Sequence, residues 1–225
     1  MKTSLSLNSL VPAAALLLAV GLHAAPALPE SPNKVAPLRV GSSAPTQVLQ
    51  AADGPFDLAQ AIKDKPTILV FYRANWCSLG KDSLREVQKE APFFEALGFQ
   101  IIAVSTDTPE SLKAAAEENQ LSFPLLSDRN LSLASAYGIA FRAPKELEGD
   151  YAKKGITLAP LPGEKGASGL LVPTVFIIDN NGLIRWVYSN PKRNPSTGEL
   201  ITAASKTHRL IASQPSPGGG YGAEP

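Results

Sequence analysis

An α/β fold, a central mixed β-sheet flanked by helices on both faces, is what this chain of 225 residues predicts, on three observations. Residues 67–73 (TILVFYR) and 99–105 (FQIIAVS) are continuous apolar runs, the pattern of strands buried on both faces. Between them, residues 83–97 set Leu84, Val87, Ala91, Phe94 and Leu97 at helical spacing and close on Gly98. Farther on, residues 175–179 and 183–188 flank Asn180-Asn181-Gly182, a hairpin turn whose Asn-Gly pair tolerates positive φ.

The remaining elements follow in order. Thr108-Pro109-Glu110 starts a second helix, with Thr108 as the cap and Pro109 at the first helical position, where a missing N–H is harmless. Residues 123–126 form a short strand, and 131–137 a short helix ending at Gly138. Asp128 reads as a cap at the start of that helix. Residues 141–171 make a long connection containing Pro160, Pro162, Gly163 and Gly166, which suits a functional or mobile segment bordering the thiol described below. A helix over 197–213 closes the domain. Strand-helix alternation followed by a hairpin and a helix describes a mixed sheet with both faces covered.

The domain limits come from composition. Residues 1–24 carry Lys2, then an apolar run too short for a comfortable membrane span, then small residues, which is the layout of a secretory signal peptide cut after Ala24 or Ala27. Residues 25–37 are rich in Pro and Ala and read as a flexible linker, and 214–225 (QPSPGGGYGAEP) as a disordered tail. The domain itself spans 38–213. Export to a secreted or periplasmic location is the expectation, with no membrane attachment after signal removal. Lys and Arg number 21 against 20 Asp and Glu, so the balance of +1 excludes the electrostatic footprint of a nucleic-acid binder.

The chemistry rests on one thiol. Cys77 is the only cysteine, so the chain closes no internal disulfide. It lies in FYRANWCSLG, where an apolar strand meets a helix start. Backbone amides and the positive end of the helix dipole favour an anion there, and a thiolate is the nucleophilic form. A lone cysteine is otherwise a small buried hydrophobe, which is the competing reading. Trp76 would shield one side of the thiol. Arg73 either supports developing charge or is a solvated strand end. Ser78 and Gly80 permit close backbone approach. His208 follows alone in the last helix, so neither a metal site nor a Cys/His pair is supported, and no cofactor is expected. Phosphate-binding glycine loops, nucleophile elbows and dinucleotide fingerprints are absent from the sequence.

The stretches VGSSAP (40–45), FYRANWC (71–77), FPLLSDRNLSLASAYGI (123–139), FRAPKEL (141–147) and VPTVFIIDNNGLIRWVY (172–188), in this order, resemble the peroxiredoxin-like group of thioredoxin-fold proteins, the alkyl hydroperoxide reductase and thiol-specific antioxidant family. The resemblance implies a thioredoxin-like fold over about 38–213 and an active-site role for Cys77. It also implies a cis-proline at Pro173, with Val172, Pro173 and Thr174 shaping a groove in which a partner's backbone can pair. Three departures matter. The thioredoxin-like pattern WCxxC reads WCSLG here, so Gly80 stands where a resolving thiol would be. Superposing the ThrxxCys motif of the classical peroxidases on WCxxC puts Cys77 at the threonine and Gly80 at the peroxidatic position, while the register with Cys77 as the peroxidatic residue puts Ala74 at the threonine, so neither register yields the classical motif. Pro173 falls where such peroxidases carry an arginine.

Two function classes follow. One is a one-cysteine thiol oxidoreductase that reduces hydroperoxides and is restored by an external thiol reductant such as a thioredoxin-like protein. The other is a thioredoxin-fold protein without peroxidase activity that binds a partner or forms mixed disulfides through Cys77.

Overall fold

The computed structural model describes residues 27–161 and 164–214. The expected signal peptide and, apart from Gln214, the expected tail lie outside them. Ten strands and six α-helices follow in chain order: β1 (Val48–Ala51), β2 (Gly54–Asp57), α1 (Leu58–Asp64), β3 (Thr67–Phe71), α2 (Ser78–Ala96), β4 (Gln100–Ser105), α3 (Pro109–Asn119), β5 (Leu125–Ser127), α4 (Ser132–Ala136), β6 (Ala140–Arg142), α5 (Lys145–Lys153), β7 (Ala159–Pro160), β8 (Ser168–Leu171), β9 (Thr174–Ile178), β10 (Ile184–Ser189) and α6 (Thr197–Ala212). Seven of the strands form one sheet in the order β10-β9-β3-β4-β5-β1-β2. β3, β4 and β5 run parallel, while β9 is antiparallel to β3, which makes the sheet mixed as expected.

The alternation of side chains along β3 divides the core. Leu69 and Phe71 face one cluster, with Leu58 and Ile62 of α1 and Leu133 and Ala134 of α4. Ile68, Val70 and Tyr72 face the other, with Leu84, Val87 and Phe94 of α2, Leu112 of α3 and Leu200 of α6. Helices therefore cover both faces. Full burial of each such aliphatic or aromatic side chain stabilises the fold by about 1.5–3 kcal/mol. Thr108 is the cap the sequence signals, its Oγ1 accepting the Ser111 amide at 3.2 Å. The N-cap position of α4 is Leu131, and the Asp128 carboxylate serves that helix from three residues earlier by accepting the amides of Leu133 and Ala134 at 3.1 and 2.8 Å.

Several features differ from the sequence reading. The segment expected as a flexible linker packs on the domain from Leu28 onward: Leu28 sits on the core, and the Pro29 carbonyl accepts the Arg142 amide at 2.8 Å. Its Pro and Ala content hid this because the contacts are made largely by backbone. Gly138, with φ of +70°, lets the Ala36 carbonyl come so close that an added Cβ would lie 2.2 Å from it. The long connection of 141–171 is not irregular. It folds as α5 and a three-stranded sheet in the order β6-β8-β7. The β1–β2 hairpin and α1 were missed, although Asp53-Gly54 is a turn signal and Asp57 caps α1 by accepting the amides of Ala59 and Gln60.

Candidate functional site

The corner that carries the thiol is built where β3 ends. β3 lies between β9 and β4, and its chain leaves the sheet at Phe71, turns through residues 72–76 and enters α2. α2 begins at Ser78, five residues before the apolar periodicity starts, because its first turn carries Gly80 and polar residues and buries little. Cys77 is consequently the N-cap residue, in an extended conformation with φ of −101° and ψ of 118°. Its side chain makes no capping hydrogen bond, and the thiol is free and half-buried.

The turn is closed by backbone. Cys77 N–H donates to the Ala74 carbonyl at 3.0 Å, and the Cys77 carbonyl accepts the amides of Gly80 at 3.0 Å and Lys81 at 3.2 Å. The amides of Ser78 and Leu79 have no helical carbonyl behind them, and none of the described residues accepts from them. Two donors without an acceptor among the described residues and the positive end of the helix dipole thus follow the residue that carries the thiol, at a helix end that favours negative charge.

The residues singled out in the sequence divide into those at the thiol and those sealed away from it. Trp76 is half-buried, its ring 4.9 Å from that of Tyr151 on α5, and it packs on the cluster containing Val172 and Phe141. The long connection does border the thiol corner, through this aromatic contact. Arg73 is half-buried and donates from Nη2 to the Pro191 carbonyl at 3.2 Å, while its Nε is buried without a partner among the described residues. Ser78 is exposed. Gly80 is buried against the turn: a Cβ there would lie 3.1 Å from the Ala74 carbonyl oxygen and 3.2 Å from Cδ2 of Tyr72.

Two expectations about 172–174 fail. Every peptide bond among the described residues is trans, so Pro173 is not a cis-proline. The chain passes extended from β8 into β9 with the Val172 amide held by the Ile139 carbonyl, and the trans form, lower by about 0.5–1 kcal/mol, meets no tight turn that would reverse it. Nor do Val172, Pro173 and Thr174 line an open groove. All three are buried, Thr174 Oγ1 bonds the Val172 carbonyl at 2.8 Å and Ser189 Oγ at 2.9 Å, and the Pro173 carbonyl already accepts the Asn190 amide. β9 is flanked by β3 and β10, so no backbone edge is left there. The register pairing Phe71 with Thr174 does put this segment at the thiol end of the sheet, as the resemblance implies.

Other charged side chains of the domain are engaged elsewhere. Arg142 pairs with Glu164, and Lys81 lies 3.7 Å from Glu118. His208 Nδ1 contacts the Leu97 carbonyl at 3.0 Å, at the opposite end of the 19-residue α2 from Cys77. At 1.5 Å per residue that separation is about 28 Å, which rules out a Cys/His pair. No group of three metal-ligating side chains occurs among the described residues.

Sequence reasoning missed Asp107 and Asn75. Asp107 Oδ2 accepts the Asn75 amide and the Ser105 hydroxyl, each at 2.9 Å, and Asn75 Nδ2 donates to the Ser111 carbonyl at 3.1 Å. Burial pushes the Asp107 carboxyl above its ordinary range, against the pull of the Ser105 and Asn75 bonds and of Arg129. The signal was only that Asp107 sits between a strand end and a helix cap, one residue before Thr108.

Comparison with known proteins gives the family and the fold. The chain is 28% identical to the chloroplastic peroxiredoxin Q of Sedum lineare over 170 residues, covering 73% of this chain and 77% of that one. It spans only 58–62% of several longer plant peroxiredoxin Q proteins that it also matches. The fold superposes on the peroxidoxin BcpB of Mycobacterium tuberculosis with a TM-score of 0.59 at 21% identity, over 77% of this chain and 98% of that one. It superposes on a yeast mitochondrial 1-Cys peroxiredoxin, described as resolved through glutathione/thioredoxin systems, with a TM-score of 0.60 at 17% identity and 78% coverage of each. The model of the AhpC/TSA family matches residues 40–187, which take in every element from β1 to most of β10 and the whole thiol corner, and the chain therefore belongs to that family.

Proposed function

We propose that this protein is a one-cysteine, peroxiredoxin-type thiol peroxidase. The observation that carries the reading is a single free, half-buried thiol at the N-cap of a 19-residue helix whose first two amides have no acceptor among the described residues. As thiolate, Cys77 Sγ attacks the terminal oxygen of a hydroperoxide. The O–O bond breaks, an alcohol leaves with a proton from solvent, and Cys77 becomes a sulfenic acid. An external thiol then condenses with the sulfenic acid, releasing water and leaving a mixed disulfide. A second thiol displaces Cys77 from that disulfide and restores it.

The chain's own residues divide the labour. Ala74 has no hydroxyl, so peroxide orientation falls to the Ser78 and Leu79 amides, and the nearest cationic groups along the chain are Arg73 and Lys81, each four residues from Cys77. Gly80 supplies no resolving thiol, which makes the external reductant obligatory. A glutathione- or thioredoxin-type reductant fits that requirement, as the yeast relative uses. The expected signal sequence supports export, with the activity placed in a secreted or periplasmic compartment.

The same absence of a second thiol favours one other reading, in which Cys77 holds a lasting mixed disulfide with a partner protein. Stoichiometric hydrogen peroxide followed by a sulfenic-acid trap and intact mass separates the two. Rapid trapping at Cys77, reversed by a dithiol, supports the peroxidase. Oxidation no faster than that of a free thiol sinks it.

A further inference from the structure

We propose that Asp107 is a positioning residue for the thiol turn: its carboxylate, through the Asn75 amide, holds residues 74–77 in the conformation that presents Cys77, and releases that hold when protonated. The inference rests on Cys77 being the reactive thiol.

The geometry is a chain of four links. Asp107 is fixed from three sides: its carboxylate accepts from Ser105 Oγ, its amide donates to Ser105 Oγ at 3.2 Å, and its carbonyl accepts from Ser127 Oγ at 2.6 Å. The carboxylate in turn accepts the Asn75 amide at 2.9 Å. Asn75 is tied again to α3 through Nδ2, which donates to the Ser111 carbonyl and to Ser111 Oγ at 3.2 Å. One residue back, the Ala74 carbonyl closes the turn on Cys77 N–H. The N-terminal end of α3 therefore grips the thiol turn two residues from the cysteine, and one of the gripping bonds is charge-assisted.

Two further observations make that bond switchable. Asn75 Oδ1 is a buried oxygen without a partner among the described residues, and Tyr72, which approaches Ser105, adjoins Asp107. A protonated carboxyl is a donor as well as an acceptor, and it loses the charge that strengthens the bond from the Asn75 amide. Burial holds the Asp107 carboxyl above the ordinary value of 3.8. The groups facing it are Tyr72 and Asn75 from the end of β3, Ser105 of β4, Ser127 of β5, Thr108 and Ser111 at the start of α3, and Arg129 after β5. Arg129 is the one formal charge among them, and it favours the ionised form. Neighbouring Asp128 is turned to the α4 amides instead.

The test uses the whole protein and two readouts that do not require peroxidase activity. The Asn75 amide is followed by proton–nitrogen NMR from pH 3.5 to 8, and alkylation of Cys77 by iodoacetamide is timed over the range in which the thiol reacts. In the unaltered protein the Asn75 resonance titrates with a midpoint above 3.8. Asp107→Asn abolishes that titration and slows alkylation per thiolate by about tenfold, the rate equivalent of one hydrogen bond to a charged group. Ser105→Ala, which removes a bond favouring the ionised form, moves the midpoint upward and decides the matter if Asp107→Asn does not fold. An Asn75 amide indifferent to pH, an unmoved midpoint in Ser105→Ala, or unchanged alkylation in a folded Asp107→Asn overturns the proposal. Normal behaviour in both readouts with no peroxide reactivity overturns the peroxidase reading alone.

Discussion

Replacing Gly80 with alanine is expected to destabilise the protein, although a glycine sits in a helix there. An alanine Cβ would stand 3.1 Å from the Ala74 carbonyl oxygen and 3.2 Å from Tyr72 Cδ2, inside the roughly 3.5–4.0 Å at which non-bonded contacts are most favourable. Neither neighbour is free to move. The Ala74 carbonyl accepts the Cys77 amide, and Tyr72 is 1% exposed within the core. Overpacking of this kind costs about 1–3 kcal/mol. The gain from removing a helical glycine is at most about 1 kcal/mol, and less in the first turn. The net loss is therefore about 1 kcal/mol, or a fall in Tm of about 2–4 °C for a domain of this size, read by circular dichroism. Because the strain is delivered to the turn that closes on Cys77, alkylation of the thiol should slow as well. A Tm that rises by the same 2–4 °C would refute the reasoning, since it would mean that helix propensity, not packing, governs position 80.

Other perturbations follow from the same contacts. Cys77→Ser should abolish peroxide consumption while leaving Tm unchanged or raised by up to about 4 °C, because serine is a preferred N-cap and the cysteine makes no capping bond; a clear fall in Tm would instead mark Cys77 as a packing residue. Gly138→Ala should prevent folding or lower Tm by about 6–12 °C or more (roughly 3 kcal/mol or more), since φ is +70° and the new Cβ would meet the Ala36 carbonyl at 2.2 Å; soluble expression followed by thermal melting checks it. Glu199, hydrogen-bonded by Arg193 and by Ser196, is held down at about 2 from an ordinary 4.5. Its folded value is depressed, so its contribution is present above pH 4.5 and is lost as pH falls toward 2; the difference in Tm between the unaltered protein and Glu199→Gln should shrink over that window.

How much of this was legible in the sequence depends on which atoms carry each feature. The central strands were readable because β3 and β4 are buried on both faces and their side chains say so. Thr108, Asp128 and the Asn181-Gly182 turn were readable because capping and positive φ select residue type directly. The small sheet of β6, β7 and β8 was not, since strands of two to four residues carry too little alternation to register. The placement of Cys77 at a helix start was legible, but the true N-cap was visible only by position, because the first turn of α2 buries almost nothing apolar. The groove expected at 172–174 came from the resemblance alone and failed because β10 and the Asn190 amide already occupy that edge. The Asp107–Asn75 bond joins residues 32 apart through a backbone amide, and no pattern of side chains announces such a contact.

The central claim, that Cys77 is a peroxidatic thiol with no resolving partner in its own chain, is tested most directly by one measurement. Reduced protein is mixed with one equivalent of hydrogen peroxide, and sulfenic acid at Cys77 is trapped and counted by intact mass against time. The account predicts a single trapped adduct per chain, formed more than about tenfold faster than with a free thiol of small size (about 1.4 kcal/mol of transition-state stabilisation), and full return to thiol with an external dithiol. Oxidation at the free-thiol rate, or an adduct that no external thiol can reverse, would contradict it.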